Sequence, residues 1–376
     1  MTACDKIKPG EEGDNENPLC SLYINPTRYC NLACRHCWVS PPRRESLDGS
    51  GDEMSMDEIK AIVEEGRKLG VRYVKLTGGE PLLRRDIGVL LEFCASSKIE
   101  VDIETNGTLI NEETAGMFRE TGVRNVSVSL DSPYEEKNDA FRGQKGAYRA
   151  AVQGIMRLVD EGLAPQVIVS LHRDNMNDMY YFADLMERLG VRNIKINNII
   201  PLGRGASLRE TGSIPTVKEV LAFAGKADEI GNSLGISLYL DLPMAFISLD
   251  RLKAGRCGVC NIKSILGILS DGSVSICGIG YLDEGLIFGN VRKEPALLGR
   301  IWRENSVLAS IRKDLPEKLE GVCGMCVFRN RCVGSCRADV YHNTGSLTAP
   351  YWFCQEAYDG GFFPRTRLVP DEIKAR

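Results

Sequence analysis

Histidine, tryptophan and long apolar segments are all scarce in this chain of 376 residues. With only three histidines, His36, His172 and His342, a histidine general base is not expected. No apolar run approaches the roughly 20 residues of a membrane span, and the acidic, polar first twenty residues are unlike a signal peptide. Lys and Arg total 47 against 51 Asp and Glu, without a long basic block. We therefore expect a cytoplasmic protein that binds neither nucleic acid nor membrane.

Cysteine, by contrast, is abundant and clustered. Of fourteen cysteines, three lie at 30–37 and eight at 257–354, while Cys4, Cys20 and Cys94 are scattered. A secreted disulfide scaffold would be short and would carry an export signal, so disulfides are not expected here. Clustered C-x2-C pairs in a long chain without a signal indicate metal ligation in a reducing compartment.

Short β-branched runs alternate with amphipathic helical segments over most of the chain. This alternation favours an α/β fold, in which a parallel sheet curls into an open, partial (β/α)6 barrel. A doubly wound open sheet is the competing arrangement, and the pattern alone does not separate the two. The predicted strands are 21–27, 73–79, 100–107, 125–131, 166–172 and 193–199, with a strand-like segment at 236–243; the predicted helices are 56–69, 85–97, 111–121, 146–162, 177–189 and 216–234.

The pattern changes after the barrel. Residues 257–354 combine short segments, glycine-rich turns and eight cysteines, with too few apolar runs for an independent core of ordinary size. A small domain of this kind is usually held together by its metal. We therefore predict a disordered tail at 1–20, a barrel at 21–245, a linker at 246–256, a cysteine-rich domain at 257–354 and a second tail at 355–376.

Cys30, Cys34 and Cys37 follow the first predicted strand with the spacing C-x3-C-x2-C. Three thiolates can ligate three irons of a four-iron cluster and leave the fourth iron open to a small molecule. Their loop lies at the carboxyl end of a strand, where parallel barrels place their active sites. A zinc site completed by His36 is the alternative.

This motif resembles the C-x3-C-x-aromatic-C signature of the radical S-adenosylmethionine (SAM) superfamily, with His36 in the aromatic position. The resemblance implies that Cys30, Cys34 and Cys37 are the catalytic cysteines. In that family the methionine end of SAM chelates the open iron, and one-electron reduction yields a 5′-deoxyadenosyl radical that abstracts hydrogen from the substrate. His36 is then expected near the adenine, with Trp38 either beside it or in ordinary core packing.

Further motifs, at the ends of later strands, resemble the family's cofactor cradle. In LTGGEP, Gly78 and Gly79 would let the backbone approach the methionine ammonium, and Glu80 would supply an acceptor or a structural hydrogen bond. An αL turn at Asn106, a capped strand end and a surface arginine are the alternatives for the later positions. The resemblance assigns SAM contacts to Asn106, to Ser129, to Asp131 at the ribose, to Arg142 at the methionine carboxylate, and to Ser170.

The later cysteines resemble the SPASM domain of radical SAM enzymes, with Cys260 as an addition. Eight thiolates suffice for two fully ligated 4Fe-4S clusters, so the resemblance implies three clusters in the chain. Two zinc sites are the alternative. The family ligation assigns Cys257, Cys260, Cys277 and Cys336 to a nearer auxiliary cluster, and Cys323, Cys326, Cys332 and Cys354 to an outer one.

The resemblance implies an oxidoreductase, and most SPASM-containing relatives mature peptides. The leading hypothesis is therefore oxidative modification or cross-linking, thioether or C–C, of a ribosomal precursor peptide. Decarboxylation or removal of tetrapyrrole side chains, as in the haem or haem d1 pathways, is the alternative, and a non-catalytic iron–sulfur electron carrier is an alternative of another class. Gly278 stands where sulfatase-maturing relatives carry an aspartate, so formylglycine formation is not expected.

The implied partners follow from the same resemblance. A reductive cleavage needs an electron donor, such as flavodoxin or ferredoxin. The stretch before the first strand is about twenty residues, too short for the leader-binding domain of many peptide-modifying relatives. A separate leader-peptide-binding protein is therefore the expected further partner.

Overall fold

The structure is a computed structural model that describes residues 17–43, 53–255 and 257–370. Cys4, and all but the last four residues of the predicted amino-terminal tail, lie outside these ranges. Twelve described cysteines are free thiols, but Cys20 is disulfide-bonded, which corrects the expectation of no disulfides at that residue. None of the helices in the described ranges has the length and apolar character of a membrane span.

Ten strands form one sheet, in the order β10-β9-β8-β1-β2-β3-β4-β5-β6-β7. Strands one to seven lie side by side in chain order and are parallel throughout. A doubly wound sheet would reverse its strand order at a switch point, so the predicted barrel-type winding is confirmed. The strands are β1 Ser21–Ile24, β2 Tyr73–Leu76, β3 Glu100–Thr105, β4 Asn125–Ser129, β5 Gln166–Leu171, β6 Asn193–Asn198, β7 Ser237–Leu240, β8 Ile265–Ile268, β9 Ser273–Ser275 and β10 Ile287–Asn290.

The six predicted helices are all present, within two residues of their predicted ends, and several short helices join them. Ser55 and Thr216 begin two of the long helices with complete capping boxes. The helices are α1 Met56–Lys68, α2 Ile87–Ser96, α3 Glu112–Glu120, α4 Glu135–Arg142, α5 Ala147–Asp160, α6 Arg173–Met176, α7 Met179–Arg188, α8 Ala206–Glu210, α9 Val217–Leu234, α10 Leu249–Lys253, α11 Leu297–Glu304, α12 Ser306–Asp314, α13 Gly321–Met325, α14 Arg329–Cys332, α15 Arg337–Thr344 and α16 Trp352–Asp359.

Side chains along the barrel strands alternate between buried and partly exposed. The buried set is apolar and packs under the helices, as where Leu22 lies against Gly66 of α1. The other set faces the inside of the barrel and is polar, which is the period-two pattern of a sheet with one wet face. We call this inner face the lumen; its charged and phenolic residues include Tyr23, Lys75, Asp102, Glu104, Lys195, Tyr239 and Asp241.

The cysteine-rich region shares the barrel's sheet and core. Strand β8 pairs with β1 in parallel, with Ser21 opposite Ile265 and Ile24 opposite Ile268. Helix α11 adds Trp302, whose side chain is buried and whose Nε1 donates to the Asn17 carbonyl at 2.9 Å. The apolar runs that this region lacks for a core of its own are supplied by the barrel.

This continuity predicts that damage to β8 destabilises the barrel. Leu266 is fully buried in a strand whose every residue is buried. Leu266→Ala is expected to lower the free energy of unfolding by about 2–5 kcal/mol, whereas Leu249→Ala, at a leucine that is 53% exposed, should leave it nearly unchanged. Chemical denaturation followed by circular dichroism measures both. Equal, small effects would contradict a shared core.

Candidate functional site

The loop after β1, residues 29–38, carries the three predicted catalytic cysteines, and we call it the cluster loop. Cys30 and Cys34 are buried, and Cys37 packs against the same small group of side chains. Burial raises the pKa of the Cys30 thiol to about 12, and the charges of Glu80, Cys34 and Cys37 add to this increase. Three thiols that oppose one another's ionisation in a buried pocket suit a bound cation, which stabilises all three thiolates. The arrangement fits an iron–sulfur cluster.

Glycines from three other segments hold the cluster loop in place. A Cβ at Gly79 would overlap the carbonyl oxygen of Tyr29, one at Gly143 would lie 2.5 Å from that of Ala33, and one at Gly203 would lie 2.5 Å from that of Trp38. Only glycine allows such close backbone approach. Gly79 of the GGE motif therefore has a steric function against the cluster loop itself.

Glu80 is buried, with 1% of its surface exposed, and its carboxylate binds protein donors. It accepts from the Thr105 hydroxyl and the Asn106 backbone N–H, both at 2.7 Å, and from the Leu82 N–H at 3.1 Å. Burial raises the pKa of Glu80, and these donors oppose that rise. Of the two functions expected for Glu80, the structural hydrogen bond is the one observed, and it joins the GGE loop to the end of β3.

Asn106 links the end of β3 to the cluster loop. Its Nδ2 donates to Asn31 Oδ1 at 2.8 Å and lies 3.8 Å from Cys30 Sγ. Its Oδ1 accepts from the Thr108 backbone N–H at 3.0 Å, and Gly107 takes the left-handed conformation with φ +75°. The side chain thus both stabilises the turn and positions the loop that carries Cys30.

Arg142 and Asp131 form a buried ion pair beside Cys34. Their Nη2 and Oδ2 atoms are 2.7 Å apart, and the side chains are 7% and 0% exposed. Arg142 Nη1 lies 3.8 Å from Cys34 Sγ, and Asp131 Oδ1 accepts from the Ser170 backbone N–H at 2.8 Å. Arg142 is therefore not a surface arginine. The SAM contacts predicted for Arg142, Asp131 and Ser170 stay predictions. The same holds for Ser129, which is half-buried at the end of β4.

His36 stacks on Phe141, which stacks in turn on His172. The ring centroids are 4.9 and 4.3 Å apart, and the planes are tilted by 12° and 19°. Burial lowers the pKa of His36 to about 4, so its imidazole is neutral at physiological pH. Among the described residues, its buried Nδ1 has no hydrogen-bond partner. Sequence reasoning missed Phe141, whose position on α4 is visible only once that helix folds back over the cluster loop.

The four cysteines assigned to the outer auxiliary cluster converge on one pocket. Hydrogen bonding with Cys354 lowers the pKa of Cys323 to about 7. Backbone N–H groups of Tyr351 and Phe328 donate to Cys323 Sγ at 3.3 Å and to Cys326 Sγ at 3.4 Å. Convergent thiols with N–H donors at sulfur are the surroundings of an iron–sulfur cluster; the four lining cysteines are Cys323, Cys326, Cys332 and Cys354.

Three of the four cysteines assigned to the nearer cluster also lie together. Burial raises the pKa of Cys336 well above its usual value, and the neighbouring charges of Cys260 and Cys277 contribute to the increase. Cys257 lies beside Tyr239, whose hydroxyl accepts the backbone N–H of Gly258. The structure thus groups Cys260, Cys277 and Cys336, and the membership of Cys257 stays a prediction.

The fit of Gly79 to the cluster loop can be tested without a substrate. Gly79→Ala should displace the Tyr29–Cys30 backbone and lose the iron of the first site, about four irons in each chain. Gly116→Ala is the matched control, because a Cβ at Gly116 in α3 would meet nothing within 4 Å. Iron analysis after anaerobic reconstitution measures the difference. A fully loaded Gly79→Ala protein would contradict the steric argument.

Comparison with known proteins places this site in a family. Residues 24–186 match the radical SAM superfamily, and residues 257–327 match SPASM, an iron–sulfur cluster-binding domain. The AdoMet-dependent heme synthase of Nitratidesulfovibrio vulgaris is 30% identical over 91% of this chain and 94% of its own length. Mycofactocin maturase MftC of Mycobacterium tuberculosis is 30% identical over 94% of this chain and 87% of its own.

Two solved structures share the fold. Streptococcus suis SuiB bound to S-adenosylmethionine has a TM-score of 0.69 and 18% identity, over 90% of this chain and 77% of its own. The enzyme anSMEcpe with bound AdoMet also has a TM-score of 0.69 and 18% identity, over 90% of this chain and 95% of its own. The matches to the two family models and the two relatives at 30% identity show that this chain belongs to the radical SAM superfamily and carries a SPASM domain.

Proposed function

We propose that this chain reductively cleaves SAM at a cluster held by Cys30, Cys34 and Cys37 and oxidatively modifies or cross-links a ribosomal peptide. Two auxiliary 4Fe-4S clusters, held by the eight later cysteines, complete the redox centre. The observation that carries the choice of substrate is the lumen, a wet polar face between the cluster loop and the auxiliary cysteines.

Charge pairing in the lumen favours a peptide over a tetrapyrrole. Lys75 is 2.5 Å from Glu104, and Lys195 is 3.6 Å from Asp241. Each lumen lysine is therefore already neutralised by a carboxylate. A substrate that carries several propionates would have to displace these pairs, whereas the polar backbone of a peptide can hydrogen-bond to them as they stand.

Modification of a tetrapyrrole is the second candidate function because heme synthases are among the relatives of this chain. Heme synthases are among the relatives with 30% identity over nine-tenths of this chain. They are matched in identity by the mycofactocin maturases, so likeness in sequence does not rank the two substrates.

The chemistry divides between the bound groups and the protein. SAM bound at the first cluster supplies a 5′-deoxyadenosyl radical, and the auxiliary clusters supply an electron acceptor. Arg142, fixed by Asp131 beside Cys34, is positioned to bind the methionine carboxylate. His36 offers a neutral ring with a free nitrogen for the adenine. The reducing cytoplasm suits such clusters, with flavodoxin or ferredoxin as electron donor and a separate protein as leader-peptide binder.

Glu104 is the proposed proton acceptor. In a net loss of two hydrogens, bound SAM would supply the acceptor of one hydrogen atom and the auxiliary clusters would supply the acceptor of one electron, so that a protein group must take the remaining proton. A Cβ at Gly278 would lie 3.9 Å from Thr77 Cγ2, and the Thr77 hydroxyl donates to Glu104 at 3.0 Å. Only the Thr77 side chain therefore lies between Glu104 and Gly278, the position where sulfatase-maturing relatives carry their aspartate.

The ionisation state of Glu104 suits this function. Burial is the largest single influence and raises its pKa, but Lys75, Lys195 and Thr77 together outweigh burial, so the net pKa is lowered. The carboxylate is therefore ionised at neutral pH and can receive a proton.

Iron content and cofactor cleavage test the cluster assignment. Anaerobically reconstituted protein should hold about twelve irons in each chain and release 5′-deoxyadenosine when a reductant is added. Replacing Cys30, Cys34 and Cys37 together should abolish the release and leave about eight irons. Cys94→Ala, at a buried cysteine outside all three groups, is the control and should change neither. A wild-type content of about four irons would overturn the auxiliary clusters.

The substrate class is tested by mass spectrometry on peptides encoded beside the gene and on iron coproporphyrin. A peptide that loses two hydrogens supports the proposal. A porphyrin that loses carbon dioxide, with no change in any peptide, would establish the second candidate instead.

With the modified peptide in hand, Glu104→Gln should still release 5′-deoxyadenosine but form about 10²-fold less product, because the abstracted site can no longer pass on its proton. Glu100→Gln, at the exposed beginning of the same strand, should behave like the wild type. The ratio of product to 5′-deoxyadenosine is the measurement. A parallel fall of both quantities in Glu104→Gln would assign it a structural function only.

A further inference from the structure

Arg337 is the largest buried charged side chain of the cysteine-rich region, with none of its surface exposed. It follows Cys336 directly and begins α15. Its guanidinium donates to the carbonyl oxygens of Leu347 at 3.1 Å, Ala349 at 2.8 Å and Gly334. These contacts fix the orientation of the charge, and they leave its buried Nε without a hydrogen-bond partner among the described residues.

The buried charge has no carboxylate to balance it. In the part of the chain that the structure describes, no acidic side chain forms an ion pair with Arg337. The nearby Asp339 is held instead by Trp352 Nε1 at 2.9 Å and by Asn343. An unpaired guanidinium in the interior is strongly destabilising, so its counter-charge must come from another group.

Arg337 contacts segments of both auxiliary sites. It follows Cys336 of the nearer group directly, and its guanidinium carbon would lie 2.6 Å from a Cβ at Gly334, which follows Cys332 of the outer group by two residues. Gly334, whose carbonyl Arg337 binds, also lines the outer pocket together with Cys332 and Ser335. The guanidinium therefore lies between the two sites.

We propose that Arg337 is the shared counter-ion of the two auxiliary clusters, a positioning residue that raises the reduction potential of both. The inference rests on the proposed function, which places a four-thiolate cluster in each group. Four thiolates around a cluster leave net negative charge, which grows on reduction. A fixed buried cation between them stabilises the reduced forms, and so makes each cluster a better acceptor for an electron from the substrate.

The test is an EPR-monitored redox titration of the reconstituted full-length chain without substrate. Arg337→Gln removes the charge and keeps a hydrogen-bond donor, whereas Arg337→Lys keeps the charge. Arg303→Gln is the matched control, because Arg303 is an exposed arginine of the same region, on α11, and does not line the outer pocket.

Arg337→Gln should shift the midpoint potentials of both auxiliary clusters to more negative values and leave that of the SAM cluster unchanged. Arg337→Lys and Arg303→Gln should stay near the wild type. A fully loaded Arg337→Gln protein with unchanged potentials, or with only one cluster shifted, would overturn the proposal.

Iron loading separates the remaining outcomes. If Arg337→Gln fails to load its auxiliary iron, a loaded Arg337→Lys with wild-type potentials supports the charge as the requirement. If neither variant loads, the function of Arg337 is to hold the backbone, and the proposal is wrong. A wild-type chain without auxiliary iron would instead be a failure of the proposed function, visible before any variant is made.

Discussion

Strand β1 pairs in parallel with β2 on one side and with β8 on the other, and the positions of all the predicted ligands depend on this pairing. Its carboxyl end carries the cluster loop. Through β2 it continues into the barrel that supplies the cradle residues, and through β8 it holds the segment that leads to Cys277. The same strand contributes Tyr23 to the lumen, close to Cys260 and Cys277 of the nearer auxiliary group. One continuous sheet therefore fixes the separation between the SAM site and the nearer auxiliary site.

The motifs that resemble a cofactor cradle also hold the protein's own loop. Gly79 makes room for the Tyr29 carbonyl, Glu80 binds the backbone at the end of β3, and Asn106 reaches back to Asn31. Because these contacts are made within the protein, the cluster loop is held in place before any cofactor binds. Such preorganisation lowers the cost of bringing three thiolates together.

Much of the fold could be predicted from local pattern, and the misses have a common cause. The seven barrel strands and six long helices follow from apolar periodicity and from caps such as Ser55, which are properties of short segments. The pairing of β8 with β1 joins residues more than 200 positions apart, and no local pattern carries that information. The cysteine-rich region was expected to lack a core of its own because it has too few apolar runs. The structure adds that its helix α11 packs against α1 of the barrel, which a segment-by-segment reading cannot show.

In the candidate site, too, some features could be predicted from the sequence and others could not. Spacing alone identified the cysteines, since ligand geometry constrains spacing. The spacing of residues did not identify the partners of the buried charged side chains. Asp131 binds Arg142, and Glu80 binds backbone donors. Arg337 lies between two groups of thiols. Each of these depends on which side chains meet after folding. A signal for Arg337 was nevertheless present, because an arginine directly after a predicted ligand cysteine places a charge close to the predicted cluster.

The central claim is that one cluster is open to SAM and two are closed, so that SAM should bind only the open cluster. The most direct measurement is the EPR spectrum of the reduced, fully reconstituted protein with and without SAM. We predict that SAM changes the signal of one cluster, that this signal is absent when Cys30, Cys34 and Cys37 are replaced, and that the other two signals are unaffected. A spectrum that SAM leaves unchanged, or one in which it alters all three signals, would contradict the account.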